Sequence, residues 1–192
     1  MNRRDQILGA ALAAFAEKGF AAATIEDVRA RSGASTGSIY HHFGDKEGLA
    51  AHLYVGGLRD YQEGFLERLR RAPDAEQAVK SLVRHHLTWI EGNAELARFI
   101  FGRRETEVVA ATEEPMRELN RQLFSEGAAL LEPWFADGSL RRVPLDVFNS
   151  LLIGPGQEFA RAWLRGRTKT SIASARRMLA DAAWAALRGK GA

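Results

Sequence analysis

Residues 24–46 read TIEDVRARSGASTGSIYHHFGDK, and this stretch decides the fold. It holds two short helical patterns separated by Ser32-Gly33-Ala34. Thr24 stands where an N-cap is expected, with Asp27 three residues on, a variant of the capping box; Ile25 and Val28 then form the inward face. Gly33 supplies the backbone freedom that a tight reversal between helices needs. The second pattern starts near Ser35 and runs to about Phe43, with Ile39 and Phe43 one turn apart as anchors. Its outward face carries Ser35, Thr36, Gly37, Ser38, Tyr40, His41 and His42. A helix held by two apolar anchors, with small hydroxyls and a glycine at its front, is shaped to approach another surface closely. That pattern suits the recognition helix of a helix-turn-helix, whose N-terminal residues enter the DNA major groove.

The run Thr24-Ile25-Glu26-Asp27-Val28, then Gly33-Ala34-Ser35, then Gly37 to Phe43 and Lys46-Glu47, closely resembles the signature of the tetracycline-repressor-like (TetR) family of transcriptional regulators. The spacing holds over more than twenty positions, and the likeness covers about the first fifty residues. Beyond them, only length and helical layout are similar. The resemblance implies an all-α chain of about nine helices. A three-helix helix-turn-helix DNA-binding domain (residues 1–46) would join a helical ligand-binding and dimerisation domain (residues 47–192). It places Thr36, Gly37 and Ser38 against base edges or a thymine methyl, and Tyr40, His41 and His42 against phosphates. Thr24, Ser35 and Lys46 match phosphate-contacting positions at helix starts; for Thr24 and Ser35, capping is an equally good account. A metal site at His41-His42 is disfavoured, because adjacent helical residues point about 100° apart.

The whole-chain numbers fit this reading without deciding it. At 192 residues, with 46% hydrophobic and 27% charged residues, the chain can bury a sizeable core. It has no cysteine, which removes disulfide and thiolate chemistry. No run approaches a membrane span, and residues 1–5, MNRRD, lack the apolar segment of a signal peptide, so a cytoplasmic protein without membrane contact is expected. The formal net charge of +3 is only mildly basic and is not concentrated at the front: Arg3, Arg4, Lys18, Arg29, Arg31 and Lys46 are set against Asp5, Glu17, Glu26, Asp27 and Asp45. Bulk charge therefore does not establish nucleic-acid binding; the motif does.

In chain order, Leu8, Ala11, Leu12 and Phe15 mark an amphipathic first helix capped by Gly19, on which the two short helices can pack. Asp45 caps a long helix reaching about Arg71, with Tyr54, Leu58, Tyr61, Phe65 and Leu69 on one face. No Ser/Gly linker follows the helix-turn-helix, so this helix is expected to couple the two parts mechanically. Lys46 at its start sits against the macrodipole, which a phosphate partner would explain. Asp74 opens the next helix, Glu95 to about Arg104 forms a shorter one, and Thr112-Glu113-Glu114-Pro115 is read as another helix start. Gly154-Pro155-Gly156 is expected to kink the helix that contains it.

The last pair of helices carries a second signal. Phe159, Ala162 and Trp163 on one, and Ile172, Ala175, Leu179, Ala182 and Ala186 on the other, repeat spacings of three and four. Two copies of the pair would make a four-helix bundle, and the resemblance likewise implies a homodimer there; an ordinary internal core face is the alternative. The resemblance further implies a small-molecule inducer among the middle helices. Candidate walls are Trp89, Phe99, Met116, Leu119, Leu123, Phe148, Leu152 and Phe159, with His85, His86, Asn120, Asn149 and Gln157 as polar handles. The same aromatics also serve as plain core. A lining of this kind favours a hydrophobic or aromatic ligand.

The reading is a ligand-responsive regulator, most simply a repressor, that binds a near-palindromic operator as a dimer and is released by an inducer. The alternative is an all-helical small-molecule carrier or enzyme without DNA binding. The chain has no HExxH, no Gly-rich phosphate loop, no GxSxG and no paired-carboxylate spacing, so no enzyme and no cofactor are expected.

Overall fold

The computed structural model describes residues 2–101 and 106–190. These form nine helices: α1 (Arg3–Lys18), α2 (Ile25–Ser32), α3 (Thr36–Phe43), α4 (Lys46–Arg71), α5 (Ala75–Gly92), α6 (Ala94–Phe101), α7 (Thr106–Ala136), α8 (Leu145–Leu164) and α9 (Ile172–Leu187). Among the described residues the only extended pairing is an isolated antiparallel bridge between Leu140 and Arg188. Helix ends follow local chemistry. Asn2, Thr24, Ser35, Asp74 and Ser171 each accept a backbone N–H three residues on. Asp45 does the same for Gly48 N at 2.6 Å, at the start of α4. Gly19 and Gly33 end α1 and α2 at positive φ, 78° and 63°.

The chain divides into two compact units, Met1–Arg59 with Ala94–Leu119 and Asp60–Asn93 with Asn120–Ala192, so α4 and α7 each contribute to both. In the first unit Ile7, Ala11, Phe15, Val28, Ile39, Phe43 and Leu49 make the core. Phe15 meets Phe20 edge-on at 5.4 Å and stacks on Phe99 at 5.8 Å. Fully burying each large aliphatic here is worth about 1.5–3 kcal/mol.

In the second unit α5 is the central helix, with Leu82, Leu87 and Ile90 fully buried and both α8 and α9 packed on it. Lys80 ties α5 to α9 through Asp181 at 2.7 Å, while Arg176 pairs with Glu91. Beside the apolar contacts lies a buried polar cluster. The Tyr61 hydroxyl and His86 Nδ1 are hydrogen-bonded at 2.9 Å, His85 Nε2 donates to the Tyr61 carbonyl at 2.9 Å, and Trp89 Nε1 donates to Asp60 at 2.6 Å. Two glycines let backbone approach these rings. An added Cβ would lie 2.5 Å from His85 Cε1 at Gly64, and 3.2 Å from His86 Cδ2 at Gly156.

Two expectations change. Helix α7 begins at Thr106, so Thr112-Glu113-Glu114-Pro115 lies inside it; the buried Thr112 hydroxyl donates to the Val108 carbonyl instead of capping. Ile172 and Ala175 are 1% and 2% exposed within a single protomer, in which both α5 and α8 pack on α9. Helix α8 contains Pro155, the position at which a kink is expected. The end proposed for the short helix at Arg104 lies outside the described residues.

Gly64→Ala sets two effects against each other. Alanine gains about 1 kcal/mol of helix propensity. Overpacking against an imidazole pinned by a hydrogen bond and by its stack on Tyr61 costs about 1–3 kcal/mol. The thermal midpoint is therefore expected to fall by a few degrees; a rise would show that the His85 ring yields.

Burial holds His86 down to about 4, with His85 beside it adding to the effect, and burial also lowers His85. Between about 4 and the ordinary value of 6.5 the unfolded chain binds the proton that folded His86 refuses, so stability falls as pH falls through that window. Chemical denaturation at pH 7, 6 and 5 should show a loss of up to about 1.4 kcal/mol per pH unit for this one group. His86→Gln should flatten the slope.

Candidate functional site

Helix α3 owes its orientation to its neighbours. Eight residues are too few to be stable alone, and Ile39 and Phe43, 1% and 5% exposed, hold it to the first unit's core. The Gly33 turn is left-handed, with φ 63° and ψ 12°, and reverses the chain from α2. The Thr24 hydroxyl accepts from Asp27 N at 3.2 Å while Asp27 accepts from Thr24 N at 3.0 Å, so both halves of the capping box are present. Asp27 also takes the Lys18 ammonium at 2.6 Å, and that bond, before those from Thr24, holds its carboxyl down to about 2. Arg31 pairs with Glu17. The acidic side chains Glu17 and Asp27 are thus engaged by cations of α1 and α2.

The outer face of α3 is clear of them. Helix α3 reads TGSIYHHF, without a carboxylate, and Ser35 accepts from Ser38 N at 3.1 Å. Ser35, Thr36, Gly37, His41 and His42 are exposed and Ser38 half-buried. Tyr40 is 50% exposed, high for an aromatic. The first-turn amides and the positive end of the helix dipole add to a surface that receives anions unopposed. Lys46 has an internal role as well: its ammonium donates to the Phe20 and Ala21 carbonyls at 3.0 and 3.2 Å and sits 4.6 Å from the centre of the Phe20 ring. Those bonds explain a lysine at the start of α4 without a phosphate.

Gly37 stands out. Its φ is not positive, and no described atom outside its own helix turn lies within 4 Å of where a Cβ would be. Nothing among the described residues calls for glycine in a helix that it weakens by about 1 kcal/mol.

A second concavity lies within the second unit. Phe65 and Leu69 of α4, Leu82 of α5, Leu123, Phe124, Gly127, Ala128 and Leu131 of α7, and Leu145, Phe148, Asn149 and Leu152 of α8 line a narrow cleft of about 60 Å³. That is room for a few waters, so a larger guest has to move side chains such as Phe124, which is 46% exposed. Of the expected walls, Leu123, Phe148 and Leu152 are there, with Asn149. Trp89 is turned to Asp60, and Phe99 belongs to the first unit's core. Met116 and Leu119 sit on the first unit's part of α7, and Phe159 is half-buried further along α8. His85 and His86 are taken up with Tyr61. Gln62 was not foreseen: it is 6% exposed and donates to Asn120 Oδ1 at 2.9 Å. Its spacing to Phe65 and Leu69, three and seven residues, is the signal that placed it on the cleft side of α4.

Residues 7–53, covering most of α1, then α2, α3 and the start of α4, match the family model described as bacterial regulatory proteins, tetR family. Those residues carry the regulatory-protein domain of the TetR family. The chain is similar to the HTH-type transcriptional repressor KstR2 of Rhodococcus jostii (strain RHA1), with 28% identity over 142 residues, 73% of this chain and 69% of that protein. Its fold is similar to that of the fatty acid degradation regulator FadR from Bacillus halodurans, with a TM-score of 0.80 and 20% identity over 96% of this chain and 95% of that one. It is also similar to FadR from Bacillus subtilis in complex with stearoyl-CoA, with a TM-score of 0.78 and 16% identity over 98% of each chain. With that domain it is a DNA-binding transcriptional regulator. Among its described residues no helix is long and apolar enough to cross a membrane.

On the expectation that α3 reads DNA, Gly37→Ala should raise the thermal midpoint through helix propensity and weaken DNA binding about tenfold through the added methyl. Thermal denaturation and gel-shift titration on the same samples check both signs; a stabilised variant with unchanged DNA affinity would leave this glycine without a role.

Proposed function

We propose that the protein is a ligand-responsive repressor that binds a near-palindromic operator as a homodimer and leaves it when a small hydrophobic or aromatic inducer binds. The observation that carries the reading is the exposed, carboxylate-free face of α3, backed by two buried anchors. In this reading residues 1–46 read DNA and residues 47–192 bind ligand and pair. Thr36, Gly37 and Ser38 meet base edges. Tyr40, His41 and His42, with Thr24, Ser35 and Lys46 at helix starts, meet phosphates; the internal bonds of Lys46 leave it one further N–H to offer.

Pairing is supported by apolar surface that one protomer leaves open on α8 and α9. Met178 is 58% and Val147 42% exposed. Ala182 and Ala185 are exposed, while Phe159, Ala162, Trp163, Leu179 and Ala186 are half-buried. One α3 reads only a few base pairs, and two should lie about one turn of DNA, ~34–36 Å, or a little more apart. The cleft supports an apolar inducer, and the resemblance to a protein solved with stearoyl-CoA puts acyl-chain ligands among those to try. An inducer that prefers the non-binding conformer by a few kcal/mol suffices for release.

Tyr40→Ala tests this directly. With half its surface exposed, Tyr40 can be truncated without unfolding the core. Gel shifts on the promoter of its own or a neighbouring gene should weaken at least tenfold, with the dimer intact by size-exclusion chromatography. Wild-type affinity should fall by about a thousandfold between 50 and 200 mM salt if some six phosphates are contacted. A shift unaffected by both changes would overturn α3 as the contact surface, and no shift by the wild type on these promoters would favour a small-molecule carrier that does not bind DNA.

A further inference from the structure

We infer that the second unit's cleft takes an uncharged, elongated apolar molecule ending in a hydrogen-bond donor such as a hydroxyl, and that the Gln62 side-chain carbonyl accepts from it; this rests on the reading that the cleft is the inducer site. Gln62 is 94% buried, and its amide nitrogen is used by Asn120 at 2.9 Å. Its Oε1 is buried with no hydrogen-bond partner. A buried amide oxygen without a donor is destabilising, so such a group persists where something supplies one.

The register puts Gln62 just beyond one end of the cleft lining. Gln62 precedes the lining residues Phe65 and Leu69 by three and seven positions on α4, and Asn120 precedes the lining residue Leu123 by three on α7. The Gln62–Asn120 pair thus lies one turn, about 5 Å along each helix, beyond the apolar walls. Asn149, the only polar residue in the lining, is exposed and marks the other, solvent side. The lining carries no charged side chain. A carboxylate head would face an amide oxygen with no cation to meet it, whereas a hydroxyl supplies the missing donor and keeps its chain among leucines and phenylalanines.

Calorimetric titration of the full-length protein with 1-decanol, which donates and accepts, and 2-undecanone, which only accepts, tests this. Gln62→Leu is expected to weaken 1-decanol about tenfold and leave 2-undecanone within twofold, with Gln62→Met behaving alike and both variants melting no lower than wild type. Equal losses for the two probes, an unchanged 1-decanol affinity, a larger loss for the ketone, or no binding of 1-decanol to wild type would each overturn the assignment. The underlying ligand reading is read separately from operator release. If decanoate frees the protein from DNA while 1-decanol does not bind, the cleft is an inducer site and the hydroxyl assignment fails. If 1-decanol binds through Gln62 but no apolar probe releases operator, the hydroxyl assignment stands and the inducer reading fails.

Discussion

The burial of Ile39 and Phe43 is the constraint on which the rest depends. An eight-residue helix has too few internal hydrogen bonds to offset its nucleation in water, so α3 exists because α1, α2 and the start of α4 offer it an apolar seat. That seat uses one side of the helix and leaves the opposite one, Thr36-Gly37 and Tyr40-His41, facing out. The same anchoring that stabilises the helix therefore creates a rigid, polar front, which is what groove reading requires. The ion pairs of Lys18 and Arg31 hold α2 to α1 and, in doing so, keep Asp27 and Glu17 occupied.

The second unit is built on a different balance. Its apolar helices α5, α8 and α9 pack beside the buried His85, His86 and Trp89, which are hydrogen-bonded to Tyr61 and to the exposed Asp60 of α4. Buried polar groups of this kind are costly unless satisfied, and their directional bonds fix the register of the helices around them. Gly64 and Gly156 belong to the same design, since each removes the side chain that would collide with an imidazole. Packing against the rings explains them better than backbone flexibility does, and it accounts for Gly156 beside Pro155.

Much of the first unit was legible in the residues themselves. Caps, the Gly33 turn and the two anchors depend on neighbours within a few positions, so local spacing specifies them; Thr24, Asp27, Gly33 and Ser35 are where the pattern put them. The inducer walls were less legible. Leu123, Phe148 and Leu152 reach the cleft, but Trp89 and Phe99 carry the same apolar character and go elsewhere, one to Asp60 and one to Phe15. Periodicity says that a residue faces inward and not what it faces. Lys46 shows the same limit, because its partners are carbonyls more than twenty residues away.

By itself, then, the sequence determined the helix-turn-helix and its outward residues, the all-helical class and the family, because each follows from short-range spacing and from residue types that tolerate few alternatives. Only the tertiary structure decided which side of α9 is core and which is open, that Thr112 lies within a helix, and that Gln62 is buried with an unmet acceptor. Those outcomes depend on which distant helix arrives against a given face, and no local pattern encodes that.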